Sequence, residues 1–242
     1  MTGGTHKAGG MLMSIVGFAL LKNNNLLAQD VNLGLQWLVI YPFCMWGSVA
    51  SDLDHNANVI PMKDYPSKLI NKALHITKPI EDAMEQNKDN FLYKFSHLFN
   101  ARHRSWQTHS DLTLGIMIFL LYQLLTVQTL GSLNAADLII LRLVLMGICI
   151  GVLAHFLLDI ITPEGIWLVG FCVINKLIKH KILPEKLHLV PRKHSFFATG
   201  GKWESFIRKV LEISTWVALV WLLVSIIGPK LVNYIPYTIT YN

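Results

Sequence analysis

Residues 137–161 read DLIILRLVLMGICIGVLAHFLLDII. Between Asp137 and Asp159 the only charge is Arg142. A bilayer core about 30 Å thick takes roughly 20 apolar residues as helix, so this stretch predicts a membrane span. Pro163 and Gly165 stop it. It also carries His155 and Asp159, one helical turn apart, in otherwise apolar surroundings.

Working outward, the same signal recurs. No charge falls between Val31 and Ser51, or between Leu112 and Ala136. These stretches predict spans over Val31–Ala50, with a kink expected at Pro42, and over Leu112–Leu130, closed by a turn at Gly131, Ser132 and Asn134. A further segment covers Ile213–Gly228, and a weaker, shorter one Met11–Leu21. Only 15% of the 242 residues are charged, against about 25% in ordinary soluble domains. The expected fold is all-α: a polytopic membrane helical bundle of four to five transmembrane helices, forming a single domain over 1–242. Two polar segments, 51–109 and 162–208, interrupt it and are expected to fold, mostly as helix, over one mouth of the bundle. Within them, Thr77–Leu98 has patches of helical spacing (Ile80, Met84, Phe91, Phe95) that suit an amphipathic surface helix, although an exposed loop fits nearly as well. The apolar piece 166–174 is too short to span.

The net charge of +6 suits anionic lipid headgroups, and no nucleic-acid motif accompanies it. Cys44, Cys149 and Cys172 lack paired spacing and read as small buried hydrophobes. If all five segments cross, the N-terminus and both polar segments share one side, which then holds, with Lys209 included, 18 of the 21 Lys and Arg. By the positive-inside rule that side is cytoplasmic.

The same topology gathers the candidate ligands. His6 lies before the first segment and Asp52, Asp54 and His55 after the second; His103 and His109 lie before the third, and His155 and Asp159 at the end of the fourth. All fall at the same end of the bundle. His155 and Asp159 project from one helix face, where imidazole and carboxylate can share a divalent cation or simply hydrogen-bond two helices together. Asp52 and Asp54 could equally cap a helix, and His103 and His109 could meet lipid phosphate. Convergence of three separated clusters favours a metal site. His75, His97, His180, His188 and His194 sit among Lys and Arg and read as solvated.

At these motifs the chain resembles the YdjM-type family of bacterial membrane-bound, metal-dependent hydrolases, described in LexA-regulated contexts. The resemblance runs through Thr5-His6, Asp52-Leu53-Asp54-His55, His103-Arg104 to Thr108-His109-Ser110, and His155 through Asp159 to Thr162-Pro163-Glu164-Gly165. It ends at Thr199-Gly200-Gly201 with Glu204. Ser51 and Ser105 depart from the proline and glycine expected there, which bears on turn geometry rather than on ligands. The His/Asp order is also similar to that of zinc-dependent phospholipase C.

The resemblance implies a hydrolase of the bacterial cytoplasmic (inner) membrane. Its metal ligands would be His6, Asp52, His55, His103, His109, His155 and Asp159. Asp54 would be a further ligand or the general base. Arg104, with Arg102, would bind an anionic group of the substrate, and Glu204 would orient a ligand histidine. The cofactor would be zinc first, with manganese or iron also permitted, and more than one ion. The partners would be membrane lipids and a lipid or lipid-linked substrate, with no nucleic acid. Two rivals stand beside this. A metal transporter or sensor would place its ligands near the bilayer midplane. A non-catalytic lipid-binding protein would use the His/Asp cluster only as helix-to-helix glue.

Overall fold

The computed structural model describes residues 3–50, 52, 65–75, 77–99, 108–127, 133–162, 165–187, 189 and 201–234. Its main elements are long helices: α1 (Gly3–Asn23), α2 (Leu33–Ala50), α6 (Asp111–Thr126), α7 (Ala135–Ile160) and α9 (Lys202–Tyr234). Between them lie α3 (Tyr65–Leu74), α4 (Lys78–Ala83), α5 (Phe91–Phe99) and α8 (Val169–Leu177). The strands β1 (Ile166–Trp167) and β2 (Lys186–Leu187) pair antiparallel and are the only sheet among the described residues. The architecture is the expected all-α bundle. Three helices, α2, α7 and α9 to Ile226, are long and apolar enough to cross a membrane, and α6 is a shorter apolar helix.

The bundle is built on the seam between α2 and α7. Glycines bring the two backbones together: a Cβ on Gly47 would sit 2.5 Å from the Ile148 carbonyl oxygen, and one on Gly147 would sit 2.6 Å from that of Ile40. Gly151 lies against the Cys44 carbonyl in the same way. Small residues allow such approach between helices in a bilayer, where dispersion contacts replace the hydrophobic drive. Helix α1 packs on this pair, with the Cys44 thiol donating to the Gly10 carbonyl at 3.3 Å. Ile15, Phe18, Ile40, Leu143, Met146 and Leu222 fill the core between α1, α2, α7 and α9.

Helix α6 is fastened to α7 by Arg142. Its Nε donates to the Leu124 carbonyl at 3.1 Å and its Nη2 to that of Val127 at 2.5 Å. The end of a helix leaves carbonyls without intrahelical partners, so a guanidinium inside an apolar helix finds acceptors there. Pro42 lies inside α2 as expected, and all three cysteines are free, with Cys44 and Cys149 buried.

Several boundaries differ from the sequence reading. Helix α1 starts at Gly3, so His6 lies within its opening turns instead of before it. Its 21 residues rise about 31 Å, enough to cross a bilayer by length, although it is less apolar than the three spans. Helix α9 starts at Lys202, eleven residues before the apolar segment. Its polar opening is supported by an Arg208–Glu212 pair at i, i+4. The stretch Thr77–Leu98 is not one helix. It divides into α4 and α5 because turns at Met84–Asn90 intervene and the Asn90 side chain caps the Leu92 N–H. Of the histidines read as solvated, His180 is exposed and His75 half-buried.

Candidate metal centre

Alternation of the long helices brings the start of α1, the end of α2, the start of α6, the end of α7 and the start of α9 to one end of the bundle. There His6, His109, His155 and Asp159 are each 0% exposed, and Asp52 reaches in with its side chain 14% exposed. Two overlapping groups have donor atoms close enough to share an ion: His6, His155 and Asp159, and Asp52, His109 and His155.

The key contact belongs to His155. Its Nδ1 lies 2.8 Å from the Ser48 carbonyl oxygen. A carbonyl only accepts, so Nδ1 carries a proton and Nε2 is the ring atom turned toward the cluster. Nε2 faces Asp159 Oδ2 at 3.2 Å, Asp52 Oδ1 at 3.9 Å and His109 Nε2 at 3.1 Å. His109 Nε2 in turn lies 3.6 Å from Asp52 Oδ1 and 3.5 Å from Asp159 Oδ2. Packed this closely in a dry site, the carboxylates and imidazoles need positive charge among them, from protonated rings or from a bound cation.

A divalent cation fits this donor set. Ligand bonds of about 2.0–2.2 Å at a tetrahedral centre separate the donors by about 3.3–3.6 Å. The observed spacings of 3.1–3.9 Å bracket that range. Two imidazoles and two carboxylates make a donor set that zinc accepts, as do manganese and iron. Asp159 has a second oxygen, Oδ1, which lies 3.5 Å from His6 Nε2. Neither His6 ring nitrogen makes a hydrogen bond, and the ring stacks on His155 at 3.8 Å between centroids. His6 and Asp159 would be available, with His155, as a second group of donors for a metal.

The surrounding contacts hold the donors in place. Thr108 Oγ1 lies 2.9 Å from His109 Nδ1 and leaves Nε2 to face the cluster. The Trp167 N–H donates to the His109 carbonyl at 2.8 Å, so β1 fixes the backbone just before α6. Ser110 caps α6 by accepting from the Thr113 N–H. After Asp159 the chain turns sharply: the Thr162 hydroxyl donates back to the Asp159 carbonyl at 2.7 Å, and Gly165 takes a positive φ of 60°. The Thr5 hydroxyl donates to Glu204 Oε1 at 2.7 Å, joining α1 to α9 beside His6.

For Asp52, which lies beyond the end of α2, burial favours the neutral acid. The hydrogen bond from His109 and the neighbouring His155 and His6 more than offset this, and its pKa falls to about 2. The carboxylate is thus ionised throughout the physiological range.

Of the residues singled out in the sequence, the structure brings together His6, Asp52, His109, His155 and Asp159. It sets Glu204 against Thr5, one residue before His6. His55, His103, Asp54, Arg102 and Arg104 lie outside the described residues. The sequence reading did not single out Ser48, whose contribution is a backbone oxygen, or the seam glycines. Of these only the Gly147-x-x-x-Gly151 spacing left a signal.

No curated protein and no solved structure matches the chain. The family model described as YdjM inner membrane protein matches residues 1–232, in agreement with the motif resemblance. A membrane bundle matched over nearly its whole length in this way belongs to the YdjM inner membrane protein family.

Proposed function

We propose that the protein is a metal-dependent hydrolase that cleaves a phosphoester or other ester bond of a lipid or lipid-linked substrate at the cytoplasmic face of the membrane. The observation that carries this reading is the buried convergence of His155 Nε2, oriented by the Ser48 carbonyl at Nδ1, with His109, Asp159 and Asp52 at spacings that suit one ion. Asp52, His109, His155 and Asp159 would hold one ion, and His6 with Asp159 Oδ1 would contribute to a second. His55 and His103 complete the ligand set implied by the family's motifs. Zinc suits the histidine content best.

A bound divalent cation supplies Lewis acidity, which lowers the pKa of water toward about 7. The protein's own groups do the rest. Asp54 is the candidate base or a further ligand, and Arg104 with Arg102 matches an anionic group by paired hydrogen bonds. Ser48, Thr108 and Thr5–Glu204 hold the donors in orientation. The Lys and Arg around this end favour anionic lipid and, by the positive-inside rule, support a cytoplasmic location for it.

The cluster's position at helix ends favours an interfacial active site over a transport path. A transporter would carry its ligands nearer the middle of α2 and α7. The staple reading instead has a doubly protonated His155 giving its second proton to Asp159, with no metal.

Elemental mass spectrometry of the detergent-purified protein, beside a His155→Ala/Asp159→Ala double variant, separates these readings. One or more equivalents of zinc, manganese or iron, lost in the variant, together with metal-dependent release of product from phospholipids or lipid phosphates, is the expected result. A folded wild type that takes up no metal even when it is added back overturns the proposal. Bound metal with no hydrolysis across those substrates overturns the enzymatic part.

A further inference from the structure

Helix α8 turns its polar side inward and leaves its apolar side uncovered. Asn175 is buried, and its side chain ties down the chain that follows: Nδ2 donates to the Leu183 carbonyl at 2.8 Å, and Oδ1 accepts from the Ile182 and Leu183 N–H groups at 3.1 and 3.0 Å. Lys179 takes a positive φ of 54° where the chain turns back. At helical spacing Phe171, Ile174, Leu177 and Ile178 fall on the side away from Asn175. All four are exposed, Leu177 by 77%, and just beyond them Ile182 is 72% exposed. A soluble surface helix does the reverse, with its apolar stripe on the core.

The attachments of this unit fix where it sits. The Val169 N–H donates to Asp111 Oδ1 at 2.9 Å, in the first turn of α6, and the Leu189 N–H donates to the Ile160 carbonyl at 2.7 Å, at the end of α7. Helix α6 buries none of its residues, so α8 starts beside a lipid-facing helix, at the level where that helix begins. The stretch 166–189 also carries Lys176, Lys179, Lys181 and Lys186 against a single acid, Glu185, which pairs with Lys181 at 2.9 Å.

We propose that α8 and the turn after it form an interfacial foot, with Leu177, Ile178 and Ile182 sunk into the leaflet at the metal-centre end and Lys176 and Lys179 on anionic headgroups. An apolar face combined with an excess of lysine matches an anionic bilayer surface, which meets both with one partner. The Asn175 bonds hold the foot in shape before it meets lipid. The Trp167 N–H on the His109 carbonyl and the Leu189–Ile160 bond make it a brace for the height of the centre above that leaflet. This anchoring contact is independent of the hydrolase reading.

The test is electron paramagnetic resonance of the full chain in vesicles of phosphatidylcholine mixed with phosphatidylglycerol. Nitroxides are attached at Leu177→Cys, Ile182→Cys and, as reference, Lys176→Cys, each in a Cys172→Ser background. The labels at 177 and 182 should be reached by oxygen, which concentrates in hydrocarbon, and shielded from a water-soluble nickel complex that reaches the label at 176. Each lysine is worth about fivefold in attraction to an anionic surface. Lys176→Gln/Lys179→Gln, or vesicles of phosphatidylcholine alone, should therefore raise nickel access at 177 and 182. Thermal unfolding near wild type in detergent shows that the variants are folded. Nickel access at 177 and 182 equal to that at 176 would overturn the proposal. So would shielding of both labels from oxygen and nickel together, which marks a protein partner, or nickel access indifferent to the lysines and to lipid charge.

Discussion

Helices α7 and α9 both carry long apolar windows, with mean hydropathy 2.4 and 1.7, yet half of the first window is buried inside the bundle against 11% of the second. Helix α6 goes further, with no buried residue at all. Hydropathy registers only the exclusion of water, which lipid and protein achieve alike. What separates the helices is the size of the residues that meet a neighbour. Helix α7 presents Gly147 and Gly151 to α2, while α9 turns Trp216, Val217, Val220 and Val224 outward. The buried helix can afford polar ligands because the packed seam supplies their partners. The outer helices carry mainly contacts that acyl chains could replace.

That contrast can be broken most severely at the seam. Gly151→Val places methyl groups against the Cys44 carbonyl and should cost about 1–3 kcal/mol or more by overpacking. It should also withdraw the Ser48 carbonyl from His155. The expected outcome is a lowered unfolding temperature in detergent together with lost metal binding.

Next in size is Asp159→Asn, which keeps the shape but removes the charge facing His6, His109 and His155. Metal affinity should fall more than about 100-fold by competition with a chelator, with the fold retained. Acidification should do the same reversibly. Asp52 has its pKa lowered to about 2, so its contribution is present above its unfolded value near 3.8 and is lost only as pH falls toward 2. Protons compete with a metal for its ligands, so metal affinity should fall as the pH is lowered. A metal affinity that does not change with pH would exclude ligands that must lose a proton to bind.

A smaller effect is expected from Thr5→Val, which removes the hydroxyl that joins α1 to Glu204. It should weaken metal binding about tenfold, through His6. The smallest belongs to the outer helices: Val217→Ala on α9, 65% exposed, should change stability by less than about 0.5 kcal/mol. A large loss there would mean that α9 meets a protein partner instead of lipid.

Much of the bundle and its site was legible in the sequence. Charge-free blocks gave the spans, and the side shared by Lys and Arg also collected His6, Asp52, His109, His155 and Asp159. The parts that escaped have physical reasons. The Ser48 carbonyl has no side-chain signature, and its role exists only where two backbones approach closely. The start of α9 was hidden because Glu204, Arg208 and Glu212 make its first turns polar, which masks a helix from hydropathy but not from i, i+4 pairing. The break between α4 and α5 turned on Asn90 capping a new helix, a local competition that apolar spacing does not register.

The bond between Thr5 and Glu204 spans 199 positions of chain. Ribosomes deliver residues in order, so the threonine leaves the exit tunnel long before its partner has been translated. Until α9 is inserted, His6 stands beside an open flank of the bundle. The centre is therefore closed by a helix made after α1, α2, α6 and α7, and a nascent chain interrupted before Lys202 would leave α1 without that latch.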